Sequence, residues 1–162
     1  MPANPRPERF GAPPSYGIGK EEPGALLPWH EVERWIAESR NYWVSTTRAD
    51  GRPHAMPVWG IWLEGAVWFS TDPESLKGRN IARDPRVVVH LESGDDVAIL
   101  EGVVEPHDPG ALDTFIDDYE REYGVRIEAG DRTTGVFRLP PRVVVAWREA
   151  DYPRSATRWV FD

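Results

Sequence analysis

The sequence has no cysteine among its 162 residues, which excludes disulfide bonds, thiolate metal ligands and cysteine nucleophiles. Long hydrophobic runs are also missing, because stretches such as Val143–Trp147 fall far short of the roughly 20 apolar residues of a membrane-spanning helix. The N-terminus is rich in proline, glycine and charge, with no apolar stretch of the signal-peptide type. We therefore expect a cytoplasmic protein without membrane contact.

Positive charge is in the minority. The 19 Lys and Arg residues face 27 Asp and Glu residues, for a formal net charge of -8. Proteins that bind nucleic acid through its phosphates need a basic surface, so we expect no nucleic-acid partner. A local basic pocket for a small anion remains compatible with this balance.

Motifs of metal and hydrolytic chemistry are absent as well. The four histidines show no ligand spacing such as H-x-x-x-H, so we expect no metal site. Neither a G-x-S-x-G sequence nor a glycine-rich phosphate loop occurs, so hydrolase and nucleotide-triphosphatase functions lack support.

Hydrophobic periodicity predicts a mainly β (α+β) domain over residues 28–162, preceded by an arm over residues 1–27 that is extended or partly disordered. The arm holds six prolines and four glycines. Helices are predicted near residues 28–40, 74–83 and 109–123, the last starting at Asp108-Pro109 and ending at Gly124. About seven strands are predicted: Asn41–Thr47, Arg52–Leu63, Ala66–Thr71, Val87–Leu91, Val97–Glu105, Thr134–Leu139 and Arg142–Trp147. Pro53 and Pro57 predict an edge position, a bulge or a bend for the second of them.

Four groups of residues occur in a fixed order between Asn41 and Glu105. They are Thr47–His54 of the form T-x-x-D-G-x-P, Pro57–Trp59, Trp68–Thr71 followed by Ser75–Ile81 and Asp84–Val87, and Val97–Val103 with its Glu101-Gly102 pair. In this order and spacing they resemble the pyridoxamine 5'-phosphate oxidase-like family, also known as the flavin-binding split-barrel family.

The resemblance implies a small antiparallel split β-barrel with peripheral helices, working as a homodimer with its cofactor in a groove at the subunit interface. The cofactor would be FMN or the deazaflavin F420, and some relatives bind haem. The Lys-x-Arg-Asn pattern at Lys77–Asn80 and the tail Ala156–Trp159 are more similar to the F420 branch. Trp59 stands where the oxidases carry a basic residue, which argues against pyridoxal phosphate synthesis.

The same resemblance implies the site residues. Ser70, Thr71 and Lys77 would bind the cofactor phosphate, although they also fit strand-end residues and a solvated helix charge. Arg79 and Asn80 follow from the Lys-x-Arg-Asn pattern. Lys77, Arg79, Arg83 and Arg86 form a cation cluster that favours the more anionic F420, or else a basic face paired with Glu74 or Asp84. The ring would be flanked by Met56, Pro57, Val58 and Trp59, and Arg158 and Trp159 would reach a groove of either subunit or dock for packing alone.

These features predict an oxidoreductase that transfers a hydride between bound F420 or FMN and a small-molecule substrate. The cofactor would perform the difficult chemistry, so no catalytic residue is assigned. Two alternatives stay open: a non-catalytic module that binds or carries FMN, F420 or haem, and a structural dimer with an empty groove.

Overall fold

The computed structural model describes residues 5–11, 13, 15, 25–107, 113–128, 131, 133–152 and 154–161. Ten strands and three α-helices occur in this part of the chain. The strands are β1 Arg6–Arg9, β2 Asn41–Thr47, β3 Pro53–Leu63, β4 Ala66–Thr71, β5 Arg86–Leu91, β6 Asp96–Val103, β7 Glu105–His107, β8 Gly135–Leu139, β9 Pro141–Arg148 and β10 Thr157–Val160. The helices are α1 Trp29–Glu38, α2 Leu76–Arg83 and α3 Asp113–Tyr123. None of the helices in the described ranges has the length and apolar character needed to cross a membrane.

The strands form one antiparallel sheet in the order β1-β10-β9-β6-β5-β2-β3-β4-β8-β7, so the predicted mainly β, antiparallel class is confirmed. The predicted count of about seven strands was too low. The three additional strands are short, and each is defined by its partner rather than by its own pattern. β1 lies in the segment predicted as an arm, and β10 lies in the C-terminal tail and pairs with it.

The predicted strand Val97–Glu105 is two strands. Its register shifts between Glu101 and Gly102, where β6 pairs with β9. The Val104 N–H then donates to the Pro85 carbonyl over 2.8 Å, and β7 pairs with β8 on the other side of the sheet. The chain therefore changes its pairing partner at Val104, and no local sequence pattern predicts this change.

Helix α2 begins later than predicted, at Leu76 instead of Glu74. Asp72 forms a turn in which its carboxylate accepts from the Glu74 N–H at 2.8 Å, and Ser75 caps the helix by accepting from the Gly78 N–H at 3.0 Å. Helix α3 ends as predicted at Gly124, whose φ is 70°. Its predicted start at Asp108-Pro109 lies outside the described residues.

The core lies inside the curled sheet. Strand alternation turns Tyr42 and Val44 of β2 inward, where they meet α1 through Val32 and Ile36. A second cluster lies on the outside of β3, β4 and β8, where α3 packs Phe115, Ile116 and Tyr119 against Trp68 and Val136. The sheet therefore has an inner core and a helix covering part of its outside.

A second region of the outside carries partly exposed apolar side chains, which we call the outer face and define by Trp43, Val88, His90, Ile99 and Val143. Cross-strand register joins Trp43, His90 and Ile99 in one row, and Val88 and Val143 lie in the next. The Trp43 and His90 rings are stacked with centroids 6.2 Å apart.

Candidate functional site

Strand β3 is fully paired over only part of its length. Residues 53–59 pair with β2 on one side, whereas β4 pairs with β3 only over residues 60–63. The first half of β3 is therefore a sheet edge, which confirms the edge position predicted from Pro53 and Pro57. We call residues 53–59 the open half of β3.

A cavity of about 300 Å³ lies where β3 and β4 separate. Among the described residues its lining has no charged side chain, and it comes from Asn41, Pro57, Val58, Trp59, Ser70 and Tyr119. Burial, reinforced by Tyr123, raises the pKa of Tyr119 to about 12. The phenol therefore keeps its proton at neutral pH, and it is a hydrogen-bond donor at the cavity wall.

Trp59 forms one wall of this cavity, and Tyr123 and Arg40 pack against its ring. It is 40% exposed and stacks on Tyr123 with centroids 4.9 Å apart and planes 6° from parallel. The Arg40 guanidinium lies over both rings, at 6.0 Å from the Trp59 centroid and 5.2 Å from that of Tyr123. The exposed ring of Trp59 is therefore a rigid aromatic surface.

The Tyr123 hydroxyl ties α3 to the strand beside this cavity. It accepts from the Gly60 N–H at 3.0 Å, and its single proton has two carbonyl acceptors within reach, Gly60 at 2.6 Å and Arg40 at 2.7 Å. Because the Gly60 N–H has this hydroxyl as its acceptor, Tyr123 fixes the point at which β3 and β4 begin to separate.

We expect Tyr123→Phe to lower the free energy of unfolding by about 1 to 2 kcal/mol, because the buried Gly60 N–H loses its acceptor. Urea denaturation measures this loss. Tyr119→Phe is the matched control, because no protein partner of the Tyr119 hydroxyl is found within the described residues, and it should cost less. Equal losses in the two variants would contradict the assigned role of the Tyr123 hydroxyl.

A cluster of three basic side chains, Arg48, His54 and Lys77, lies at the start of the open half of β3. Lys77 is only 9% exposed, and its burial lowers the pKa of its ammonium group. The Arg48 Nε is buried without a hydrogen-bond partner in the described part of the chain. Burial, then the charges of Arg48 and Lys77, lowers the pKa of His54. We call these three residues the basic cluster.

Among the described residues, neither Arg48 nor Lys77 forms an ion pair with a carboxylate, although the charge of Arg48 contributes to lowering the pKa of Asp50. Buried cations without a counter-charge are unfavourable, and a buried guanidinium nitrogen without an acceptor adds to this cost. An anion with several acceptor oxygens would satisfy all three groups at once. The chemistry of the cluster therefore fits a phosphate.

The basic cluster is connected to a buried polar network. Asn80 is 4% exposed, and its side-chain nitrogen donates to Thr46 Oγ1 over 3.0 Å. Thr46 Oγ1 lies in turn 3.3 Å from His54 Nδ1. Asn80, predicted as a cofactor ligand, is thus engaged inside the protein and reaches the basic cluster only through Thr46.

Ser70 and Thr71, predicted to bind one phosphate together, lie on opposite faces of β4 because successive strand side chains alternate. Ser70 lines the cavity beside Trp59. Thr71 Oγ1 lies 3.5 Å from Ser75 Oγ at the start of α2. The structure thus separates the two hydroxyls that the sequence places side by side.

Three of the four cations around α2 are held by acceptors. Arg79 donates to the Glu74 carbonyl, Arg83 to the Thr47 carbonyl, and Arg86 lies 2.7 Å from the Asp84 carboxylate. Arg79 also lines a separate cavity of about 600 Å³ between α2 and the β7–β8 pair. Lys77 remains the cation of this group without a described acceptor.

The C-terminal candidates do not belong to the open half of β3 in the same chain, and four strands separate β10 from β3 in the sheet. Trp159 is 1% exposed and packs in the core with its centroid 5.6 Å from that of Trp29. Arg158 forms an ion pair with Glu8 at 2.9 Å. By contrast, Met56 is 47% exposed and lies with Pro57, Val58 and Trp59 on the open half of β3.

Sequence reasoning did not find Arg48 as a site residue, because it reads as part of the turn that ends at Gly51. Gly51 has a φ of 85°, as this turn requires. His54 was not predicted as a cofactor ligand either. The sequence signal that could have identified His54 is its position two residues before Met56, because residues two apart lie on the same side of a strand.

Comparisons with known proteins agree with this fold. The family model described as pyridoxamine 5'-phosphate oxidase matches residues 28–148. A search of curated proteins finds no match. Among solved structures, the conserved hypothetical protein Rv2991 from Mycobacterium tuberculosis aligns with a TM-score of 0.67 and 25% identity, covering 78% of this chain and 88% of that one.

Two further solved structures share the fold. One is described as an F420 reductase, with a TM-score of 0.57 and 20% identity over 76% of this chain and 98% of that one. The other is a heme binding protein from Mycobacterium smegmatis, with a TM-score of 0.61 and 23% identity over 80% of this chain and 57% of that one. Since the family model spans most of the sequence, this chain belongs to the pyridoxamine 5'-phosphate oxidase family.

Proposed function

We propose that this protein binds F420 or FMN along the open half of β3 and transfers a hydride between that cofactor and a small-molecule substrate. The observation that carries the proposal is the basic cluster, in which the Lys77 side chain is buried without a described counter-charge and the buried Arg48 Nε has no described hydrogen-bond partner. The family and the F420 reductase of the same fold support it.

The basic cluster would hold the phosphate of the cofactor. The Lys77 ammonium, the Arg48 Nε–H and the His54 imidazole would each donate to phosphate oxygens, and such charge-assisted bonds are roughly twice as strong as neutral ones. The phosphate would in turn oppose the effect of burial on the pKa of Lys77, and the effects of burial and of the neighbouring cations on the pKa of His54. Thr71, at the end of β4, and Ser75, at the start of α2, would be further hydroxyl donors.

The open half of β3 would hold the ring. A planar ring needs apolar walls and backbone groups that the sheet has left unpaired, and Met56, Pro57 and Val58 lie on such an edge. When bound, a flavin or deazaflavin supplies the hydride chemistry. The protein supplies orientation and a partly water-excluded surface, of which Trp59 is the rigid aromatic part.

The cavity beside Trp59 would hold the substrate. Its lining has no charged side chain, so a small neutral molecule fits it better than an anion. Tyr119 would donate a hydrogen bond from its protonated phenol, and Ser70 and Asn41 would orient the substrate. Trp59 in place of the basic residue of the oxidases supports the same conclusion.

The outer face would form a homodimer. Apolar and aromatic side chains form most of this face, although the exposed Glu101 lies between Val88 and Val143, and a monomer rarely leaves such a patch uncovered. This patch continues into the open half of β3, since Trp43 is the cross-strand partner of Pro57. A second copy on the outer face would therefore lie beside the proposed cofactor groove. The predicted cofactor contacts of Arg158 and Trp159 would have to come across this interface, and Trp159 would have to leave the core.

We expect the purified protein to be a dimer at micromolar concentration by light scattering. Ile99→Glu, in the middle of the outer face, should give a folded monomer, because a dimer would bury the new carboxylates without partners. Val125→Glu is the control, since Val125 is 48% exposed and lies outside this face. A wild-type monomer, or a dimeric Ile99→Glu variant, would refute the interface.

Titration of the purified protein with F420 and, separately, with FMN tests the proposed cofactor, with quenching of tryptophan fluorescence as the signal and haemin as a comparison ligand. Tight binding of F420 and weak binding of FMN would direct substrate trials to F420-dependent reductions. Preference for FMN would make it an FMN protein. Binding of haemin alone, or of none of the three, would refute the proposal, and binding without turnover over a substrate panel would support a carrier.

A further inference from the structure

Trp59 presents one face of its indole ring to the surroundings. Tyr123 covers the other face, with centroids 4.9 Å apart and planes 6° from parallel. Arg40 lies beside this pair, because its guanidinium carbon is 6.0 Å from the Trp59 centroid and only 5.2 Å from that of Tyr123. A group on the far face of Trp59 would be nearer to Trp59 than to Tyr123. Since 40% of Trp59 is exposed, its far face is available for stacking.

Tyr119 supplies a hydrogen-bond donor in the cavity that Trp59 borders. It lines this cavity of about 300 Å³ and is only 6% exposed. Its hydroxyl has no protein partner within the described ranges, where the Arg48 Nε is the only unpartnered side-chain atom shielded from all solvent. The Tyr119 oxygen is therefore accessible from the cavity. Because burial raises the pKa of Tyr119 to about 12, the hydroxyl keeps its proton and donates to an acceptor placed there.

This cavity and the basic cluster lie on opposite sides of β3. The register of β3 with β2 is unbroken from Pro53 to Trp59, so side chains alternate between the two faces over the whole stretch. His54 and Trp59 are an odd number of residues apart and therefore face opposite ways. At about 3.3 Å per residue, they are also roughly 16 Å apart along the strand. An anion at the basic cluster and a ring on Trp59 therefore occupy separate places.

The chemistry of the cavity favours a flat, uncharged ring. An aromatic pair in stacked geometry contributes to binding beyond the area that it buries, and only a flat partner achieves this geometry. Tyr123 and Arg40 already hold Trp59 in place, so stacking costs little additional ordering. The described lining has no charged side chain, so an ionic group would lose its hydration there without gaining a counter-charge.

We propose that this cavity binds a flat, uncharged conjugated ring with a carbonyl group, which stacks on the far face of Trp59 and accepts a hydrogen bond from Tyr119. This inference rests on the proposed function only in that the ring would be the substrate of the hydride transfer. Trp59 and Tyr119 are then the residues that determine specificity, Trp59 for the flat ring and Tyr119 for the carbonyl oxygen.

Three uncharged probes separate the two contacts, and each is titrated without cofactor by following its own ¹H NMR signals. Chromone is flat and has a carbonyl, 1-decalone has a carbonyl on rings that are not flat, and naphthalene is flat without an acceptor. Trp59→Leu keeps an apolar side chain and removes the flat face. We expect it to weaken binding of chromone and naphthalene about three- to ten-fold and to leave that of 1-decalone nearly unchanged. Tyr119→Phe should weaken chromone and 1-decalone by a similar factor and leave naphthalene unchanged.

Trp147→Leu is the control, because Trp147 stacks on Tyr152 outside this cavity, and it should leave all three affinities unchanged. In ¹⁵N spectra, chromone should shift the Trp59 indole N–H, assigned with Trp59→Leu, more than those of the other tryptophans. Chromone-2-carboxylate, which adds a charge, should bind more weakly than chromone. Wild-type affinity for chromone in Trp59→Leu or Tyr119→Phe, equal binding of the charged probe, or a shift at other tryptophans only would overturn the proposal.

A second titration of chromone in the presence of F420 or FMN separates this inference from the proposed cofactor. We expect chromone to bind at least as tightly as without cofactor, because the two sites are distinct. Displacement of chromone by either cofactor would contradict this, since Trp59 would then hold the cofactor ring. If chromone binds as expected but neither F420 nor FMN binds, the ring site stands and the proposed cofactor fails.

Discussion

Replacing Lys77 by methionine is expected to weaken cofactor binding at least ten-fold and to leave the protein as stable as the wild type, or more so. The loss of affinity reflects a charge-assisted hydrogen bond to phosphate, which contributes about 1.5 kcal/mol or more. Stability should not fall, because the methionine retains the buried stem and removes an ammonium group whose pKa is lowered by burial.

This opposite behaviour of affinity and stability separates a binding residue from a structural one. A lysine whose pKa is lowered on folding destabilises the folded state at pH values where it stays protonated, and the penalty fades as the pH rises through its folded-state pKa. The wild type should therefore gain stability relative to Lys77→Met as the solution becomes alkaline. Fluorescence titration gives the affinity, and urea denaturation at several pH values gives the stability.

Arg79→Met is the matched control, with the same change of charge two residues away on α2. Arg79 donates to the Glu74 carbonyl and lines the cavity between α2 and the β7–β8 pair. We expect its loss to weaken binding less than the loss of Lys77. If Arg79→Met has the larger effect, the phosphate lies in that cavity and the basic cluster is not its site.

The sequence was a good guide where local pattern decides the structure. β2 and β4 have the predicted bounds, because each alternates or carries a continuous buried run between turn residues. It was a poor guide for β1, whose residues Arg6–Arg9 have no apolar alternation. β1 is a strand because β10 offers it an edge, and the Arg158–Glu8 ion pair joins the two.

The residues of the candidate site likewise fall into those that a local sequence pattern predicts and those that it does not. The residues on the open half of β3 follow one another in sequence, so Met56 to Trp59 could be predicted together from one motif. The basic cluster could not, because Arg48, His54 and Lys77 converge only when α2 packs against β2. The strand period of two, applied to Ser70 and Thr71, would have shown that they face opposite ways.

Gly78→Ala is expected to lower the free energy of unfolding by about 2 to 3 kcal/mol, although alanine is the better helix former by about 1 kcal/mol. A Cβ atom on Gly78 would lie 2.4 Å from the Pro73 carbonyl oxygen and 2.6 Å from that of Asp72. Both are backbone atoms of the turn before α2, so they cannot move aside as a flexible side chain could.

The substitution should reach the basic cluster as well. To admit the methyl group, either α2 or the Asp72–Ser75 turn must shift, and the bond from the Gly78 N–H to Ser75 Oγ spans this junction. Because Lys77 immediately precedes Gly78, its ammonium group should move relative to Arg48. Cofactor affinity should therefore fall together with stability. Lys77→Met, by contrast, lowers only affinity.

Gly94→Ala is the control, because a Cβ there meets no atom within 4 Å. Its unfolding free energy should equal that of the wild type within about 0.5 kcal/mol, as for an ordinary surface substitution. Thermal and urea denaturation of the two variants measure the difference. A Gly78→Ala variant as stable as Gly94→Ala would show that the Asp72–Ser75 turn shifts at little cost in free energy. The close packing of α2 against this turn could then no longer explain why Lys77 stays buried without a described counter-charge.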